Sequence, residues 1–238
     1  SGGTWSANLD FSGAAEGTVT LLADHTDAQG NDATQASQDF SKDTESPDVT
    51  INQATGQTDD PTNGLPVEFT VVFDEPIDPD TFTAADITQK AVAGAAVAVT
   101  YAITNNTADT TFTVNATIVG TPGILSPELL AGVVDDVAGN GSHASTSTDG
   151  AVTYELTAPT VEAGSDILAA VPTQITDASA ADDSGINSYL WEQTAGPGTV
   201  AFSSTTVVDP TLSADTVGTY TIRLTVEDNA GNSNTDTM

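Results

Sequence analysis

Asp, two residues, then Gly-Asn occurs three times in this chain: in "HTDAQGNDA" (25–33), "VVDDVAGNGS" (133–142) and "VEDNAGNSN" (226–234). The residue types allow two chemistries. Carboxylate and amide oxygens gathered in one place are ligands for a hard divalent cation such as Ca²⁺, which takes roughly six to eight oxygens. The same residues also make a tight turn without metal, because Asp and Asn side chains bond their own backbone and Gly accepts a positive φ. EF-hand spacing and the nonapeptide repeat of secreted calcium proteins are both absent from the sequence. Acid–base catalysis has weaker support. Asp135–Asp136 and Asp182–Asp183 are adjacent carboxylates of the kind that work in pairs, but they fall in polar loops. His25 and His143 are isolated, and no Ser-His-Asp set, phosphate loop or HExxH accompanies them. The expectation is a protein that is not an enzyme.

Charge narrows the partners. The chain of 238 residues carries 34 acidic side chains against three basic ones, for a net charge of −31. Lys42, Lys90 and Arg223 cannot neutralise a phosphate backbone or an anionic lipid surface, so nucleic acid is not an expected partner, and no apolar run approaches the length of a membrane span, so membrane insertion of this segment is not expected. Binding of hard cations suits the balance. There is no cysteine, which removes disulfides and thiolate metal sites and leaves an extracellular protein in need of another staple. Disorder is not expected despite the charge, because the apolar residues are patterned.

The elements that must position these acids read as strands. "VEFTVVF" (67–73), "VTYAIT" (99–104), "TFTVNATIV" (111–119), "YTIRLTVED" (220–228) and "TWSANLDF" (4–11) each alternate apolar residues with Thr, Asp, Glu, Ser or Asn. Period two marks half-buried antiparallel strand. Helical periodicity is nearly absent; "TAADITQKA" (83–91) and "SPELLAG" (126–132) could each hold one turn. The first two Asp-Gly-Asn loops are followed by a short polar strand and a proline junction, "DTESPDVTI" and "ELTAPTVEA", which repeats the plan. Boundaries at Pro47 and Pro159 give three units: 1–46, 47–157 and 158–238. Unit one is too short to close a sandwich core. Unit three stops at "NTDTM", where one more strand is expected.

On these motifs unit two resembles the bacterial Ig-like domains that occur in tandem in large surface adhesins. The residues that carry the likeness are "GQTDDPTNGLPVEFTVVFDEPID", "FTAADIT", "DDVAGN" and "VTYELTAPTV". Unit one is similar to the C-terminal half of such a domain. Unit three, with "SYLWEQTAGPGTVAFSS" and "LSADTVGTYTIRLTVEDNAGN", resembles a PKD-type Ig-like domain lacking its last strand. The fold class expected is all-β: tandem antiparallel Ig-like β-sandwiches in an extended rod. Trp191 is expected as the core tryptophan of unit three, and Tyr220 as its tyrosine corner, its hydroxyl reaching back to upstream backbone.

In such a sandwich the loop between the last two strands, the loop after the second strand and the incoming linker share one pole. That places Asp43 and Glu45 beside Asp74, Glu75, Asp135, Asp136 and Asn140 at the start of unit two. It places Glu155 beside Asp182, Asp183, Asp228 and Asn232 at the start of unit three; unit one keeps only Asp27, Asn31 and Asp32. Clustered carboxylates repel unless neutralised, and Ca²⁺ is the expected cofactor. The resemblance implies the same, because related tandem domains often carry Ca²⁺ at their linkers. The usual D-T-x-x-P linker is kept at Asp43 but becomes "ELTAP" at 155–159.

The function expected is a structural, extender segment of a secreted or cell-surface adhesin or extracellular fibre, stiffened by calcium between domains. Its partners are neighbouring Ig-like domains or subunits, joined in a filament by strand complementation. The alternative is a carbohydrate- or protein-binding accessory module of a secreted enzyme, with Trp5 or Trp191 exposed as a sugar platform.

Overall fold

A computed structural model describes residues 6–90, 97–168 and 172–238. Unit one contributes β1 (Gly17–Ala23) and β2 (Ala36–Lys42). Unit two contributes β3 (Val49–Gln53), β4 (Val67–Phe73), β5 (Ile87–Gln89), β6 (Val99–Thr107), β7 (Thr111–Ile118), β8 (Gly123–Leu125), β9 (Pro127–Leu129) and β10 (Val152–Tyr154). Unit three contributes β11 (Thr160–Glu162), β12 (Thr173–Gln174), β13 (Ser179–Ala181), β14 (Ile186–Ala195), β15 (Val200–Phe202), β16 (Thr211–Ala214), β17 (Thr221–Asp228) and β18 (Ser233–Thr237). Every named strand pair is antiparallel. The molecule is an all-β, Ig-like β-sandwich protein. Among the described residues, no helix is long and apolar enough to cross a membrane.

Alternation in the sequence becomes two-sidedness in the sheets. In β4, Val67, Phe69, Val71 and Phe73 are buried, while Glu68 and Val72 face out. In β7, Phe112, Val114, Ala116 and Ile118 do the same. The sheet β3-β4-β7-β6 packs this face on the shorter pairs β5–β9 and β8–β10. Phe73, Phe82 and Phe112 meet edge to face, with ring centroids 5.1–5.9 Å apart, the arrangement that aromatic quadrupoles favour. Two parallel bridges, Thr50 to Thr146 and Thr62 to Tyr154, tie the incoming segments of the unit to its outgoing ones. A second core gathers Ala163, Ile175, Trp191, Leu212, Ile222, Leu224 and Val226 between the sheets β14-β17-β18 and β12-β16-β15. The two cores share no residue. Pro47 and Pro159, at the starts of the two units, are both buried.

Trp191 is 1% exposed, and its indole N–H donates to the Val207 carbonyl at 2.9 Å. The Tyr220 hydroxyl donates to the Thr216 carbonyl at 2.6 Å, the backward reach expected of a tyrosine corner. Gly196 makes room for that ring: its φ is +146°, and a Cβ there would lie 2.1 Å from a Tyr220 ring carbon.

Three local expectations differ. The segment 83–91 holds no helix turn over its described residues; a short 3₁₀ turn, Pro79–Thr81, capped by the Asp78 side chain, lies just before it. Residues 127–129 are strand β9, because Leu129 pairs with Ile87 and enters the core. "TWSANLDF" is not a strand over its described part, residues 6–11, which find no pairing partner among the described residues; Trp5 lies outside them. The residues after the third Asp-Gly-Asn loop, 233–237, form β18 along β17.

Unit one differs in kind. β1 and β2 pair in full register from Gly17–Lys42 to Ala23–Ala36, and Phe11 meets Phe40 at 4.9 Å. Yet no residue from 6 to 46 is buried. An isolated hairpin of this kind has no core to stabilise it.

Candidate metal centre

The three Asp-Gly-Asn loops fold identically. In each, the Asp N–H donates to the Asn carbonyl and the Gly N–H to the Asp carbonyl. The Asn N–H donates to one Asp carboxylate oxygen and the Asn amide to the other, for Asp27–Asn31, Asp136–Asn140 and Asp228–Asn232, at 2.7–3.0 Å. The Gly residues 30, 139 and 231 sit at φ of +88° to +92°, in the left-handed region that other residues adopt at a cost. The turn chemistry therefore operates in all three loops. What separates them is what comes near the Asp.

At the start of unit two, oxygens of Asp43, Glu75 and Asp136 lie within 4.8 Å of one another. The linker brings Asp43, the loop after β4 brings Glu75, and the loop before the last segment of the unit brings Asp136. Asp136 is 3% exposed. Burial alone raises its pKa, but hydrogen bonds from the Asn140 side chain and from backbone N–H groups hold it below the usual carboxylate range. Glu75 moves the other way. Burial raises its pKa, and the carboxylates of Asp43, Asp136, Asp74 and Glu45 push it higher still. Asn140 also donates to the Asp43 carbonyl at 3.3 Å, which ties the linker to the loop.

At the start of unit three, Glu155, Asp182 and Asp228 form the equivalent group, again within 4.8 Å. Asp228 is fully buried. Asn232 donates to Glu155 Oε2 at 2.8 Å and to the Glu155 carbonyl at 3.3 Å. Asn229 donates to the Ser184 carbonyl at 2.7 Å, so the loops carrying Asp182 and Asp228 are fixed to each other.

Several expected ligands stand outside these groups. Asp74 accepts the Asp48 N–H at 2.8 Å as a turn cap. Asp135 pairs through its backbone with Gly141 and Asp78. Asp183 is exposed, and Glu45 contributes charge near Glu75 without joining the triad. Asp27 and Asn31 bond each other at the surface, and no group of three acids forms around them among the described residues. Asn140 and Asn232 turn amide N–H groups, not oxygens, toward the carboxylates. Their part is to orient the Asp. Glu155 fills the place of Asp43; its signal in the sequence is an acid four residues before the junction proline, as in Asp43–Pro47 and Glu155–Pro159.

Each triad sets three carboxylates together with no basic side chain among the described partners. Two of the acids come from loops and one from a linker, so whatever draws the three together also fixes the linker to the sandwich. Hard cations bind such oxygen sets, and the raised pKa of Glu75 is that of a carboxyl partly buried and crowded by other carboxylates without a counter-charge.

In comparison with known families, residues 163–238 fit the family model described as K319L-like, PKD domain. Unit three is therefore a PKD-type Ig-like domain, a kind of module that is typically extracellular and serves structure or binding. No curated protein matches the chain.

Proposed function

We propose that the chain is an extender segment of a secreted or cell-surface adhesin or extracellular fibre, in which consecutive Ig-like units form a rod stiffened by Ca²⁺ at their junctions. The observation that carries this reading is the recurrence of one triad at two junctions: a linker acid, an acid from the loop after the second strand or its equivalent, and a buried loop Asp. Asp43, Glu75 and Asp136 would hold one ion, and Glu155, Asp182 and Asp228 the other. The ion supplies positive charge, which removes the repulsion and makes the linker part of the domain. The chain performs no catalysis in this reading. Its unit-two likeness to tandem adhesin domains and its PKD-type unit support it.

The test is thermal unfolding with calcium and with chelator, at matched ionic strength. Calcium should raise the melting temperature, by about 2.7 kcal/mol of stability when it exceeds its Kd a hundredfold. Identical melting in calcium and chelator would sink the reading. The accessory-module alternative needs an exposed tryptophan, and Trp191 is buried with its N–H satisfied; Trp5 lies outside the described residues.

The hairpin β1–β2, without a buried residue, suits completion by strands of a neighbouring unit or subunit. Sedimentation velocity checks this part: concentration-dependent assembly supports it, and a strict monomer with protected β1–β2 amides opposes it.

A further inference from the structure

Among the described residues, Asn63 makes the hydrogen bonds between unit two and unit three that do not run through the linker acid Glu155. Its N–H donates to the Ala230 carbonyl at 2.9 Å, and its side-chain amide donates to Asn232 Oδ1 at 3.1 Å. Both acceptors belong to the third Asp-Gly-Asn loop. The segment that presents Asn63 is itself held. Thr62, which is buried, donates its N–H to the Thr153 carbonyl at 2.9 Å and accepts the Glu155 N–H at 3.0 Å. Asp60 accepts the Thr153 N–H at 2.8 Å, and the Gly64 N–H closes onto Thr62 Oγ1. Asn63 thus projects from a loop pinned to β10 and the linker onto a loop pinned to β17.

The consequence for Asn232 is specific. With Oδ1 occupied by Asn63, its amide N–H groups are aimed at Glu155 Oε2 and Asp228 Oδ2. The first junction has no counterpart of Asn63: among the described residues, the bond of the Asn140 amide to the linker carbonyl of Asp43 is what joins unit one to unit two. We propose that Asn63 is an interdomain latch that fixes unit two against unit three through protein hydrogen bonds alone, so that the second junction keeps its angle with no cation bound. This goes beyond the calcium reading and does not depend on it.

The chain has no cysteine, so Thr104→Cys and Ser188→Cys, at exposed strand positions, place one spin label on each unit. Double electron–electron resonance on the whole chain in EGTA reads the spread of distances between them. A narrow distribution is expected with Asn63 in place, and about twofold broadening with Asn63→Ala. Asn63→Asp keeps the shape but sets a carboxylate oxygen against Asn232 Oδ1, and should broaden the distribution at least as much. Asn63 belongs to neither core, and unchanged circular dichroism will show that both variants fold. A distribution already broad before substitution, or variants with the unsubstituted width, overturns the latch. Because the measurement is made in chelator, its failure leaves the calcium reading standing, and a missing calcium effect on melting leaves the latch standing.

Discussion

Asp136 and Glu75 lie in one triad yet respond to protons in opposite senses. Glu75 has a folded pKa above its unfolded one, so the stability from its neutral carboxyl is present at low pH and is lost as pH rises through the raised value. Asp136 has a lowered folded pKa; its contribution is present above the ordinary carboxylate range and is lost as pH falls through the lowered value. In chelator, Glu75→Gln should therefore remove the loss of stability on the alkaline side of Glu75's titration, and should raise the melting temperature at neutral pH. The same variant should lose the part of the calcium response that comes from the first triad and keep the part from the second. Asp136→Asn should also lose that first-triad part, while in chelator it changes stability by no more than about 1 kcal/mol, one loop hydrogen bond weighed against relieved repulsion. Asp135→Asn, one residue away but outside the triad, should keep the calcium response in the same melting assay. The sequence offered both Asp135 and Asp136 as ligands, although only Asp136 stands at the spacing shared by the three Asp-Gly-Asn loops. Asp136 turns inward because its loop bonds it to Asn140; the repeated spacing marks that bond, and the burial that comes with it depends on the tertiary packing of the loop.

At the level of elements, the strands with strict alternation were readable and the short ones were not. β4, β7 and β17 each bury a full face, so period two is imposed along their whole length. β8, β9 and β10 span three residues each, too few for a period to show, and β9 carries a proline that pointed elsewhere. Tertiary pairing decides such segments. The linker acid Glu155 was legible by position, whereas Asn63 gave no signal, because its role depends on where two loops of different units meet. The two separate cores predict separable unfolding. Trp191→Ala should cost unit three about 3–5 kcal/mol and leave the unit-two transition in place by calorimetry. Tyr220→Phe should cost that same transition about 1 kcal/mol, the worth of its bond to Thr216. A single merged transition that shifts as a whole would contradict the independence of the cores.

The whole chain joins a charge of −31 to folded units with few counter-charges. Screening by monovalent salt should stabilise it modestly at every pH where the acids are ionised. Calcium at far lower concentration should do more, and the excess over the screening effect measures site binding. Limited proteolysis of the isolated chain should cut first within residues 6–46, where nothing is buried, and should spare the two cored units. The parallel bridges of unit two have a further consequence under tension. The segment that begins at Pro47 and the segment that ends at Glu155 run side by side in the same direction, joined by the bonds Ile51 to Thr146, Thr146 to Val49, Gln53 to Asp149, Thr62 to Thr153 and Glu155 to Thr62. A pull on the two ends of the unit slides these segments past each other, so the bonds share the load in shear and are not peeled one after another. Pulled by its ends in a force spectrometer, unit two should therefore yield at higher force than when it is pulled through β6 and β7, whose antiparallel hairpin opens like a zip.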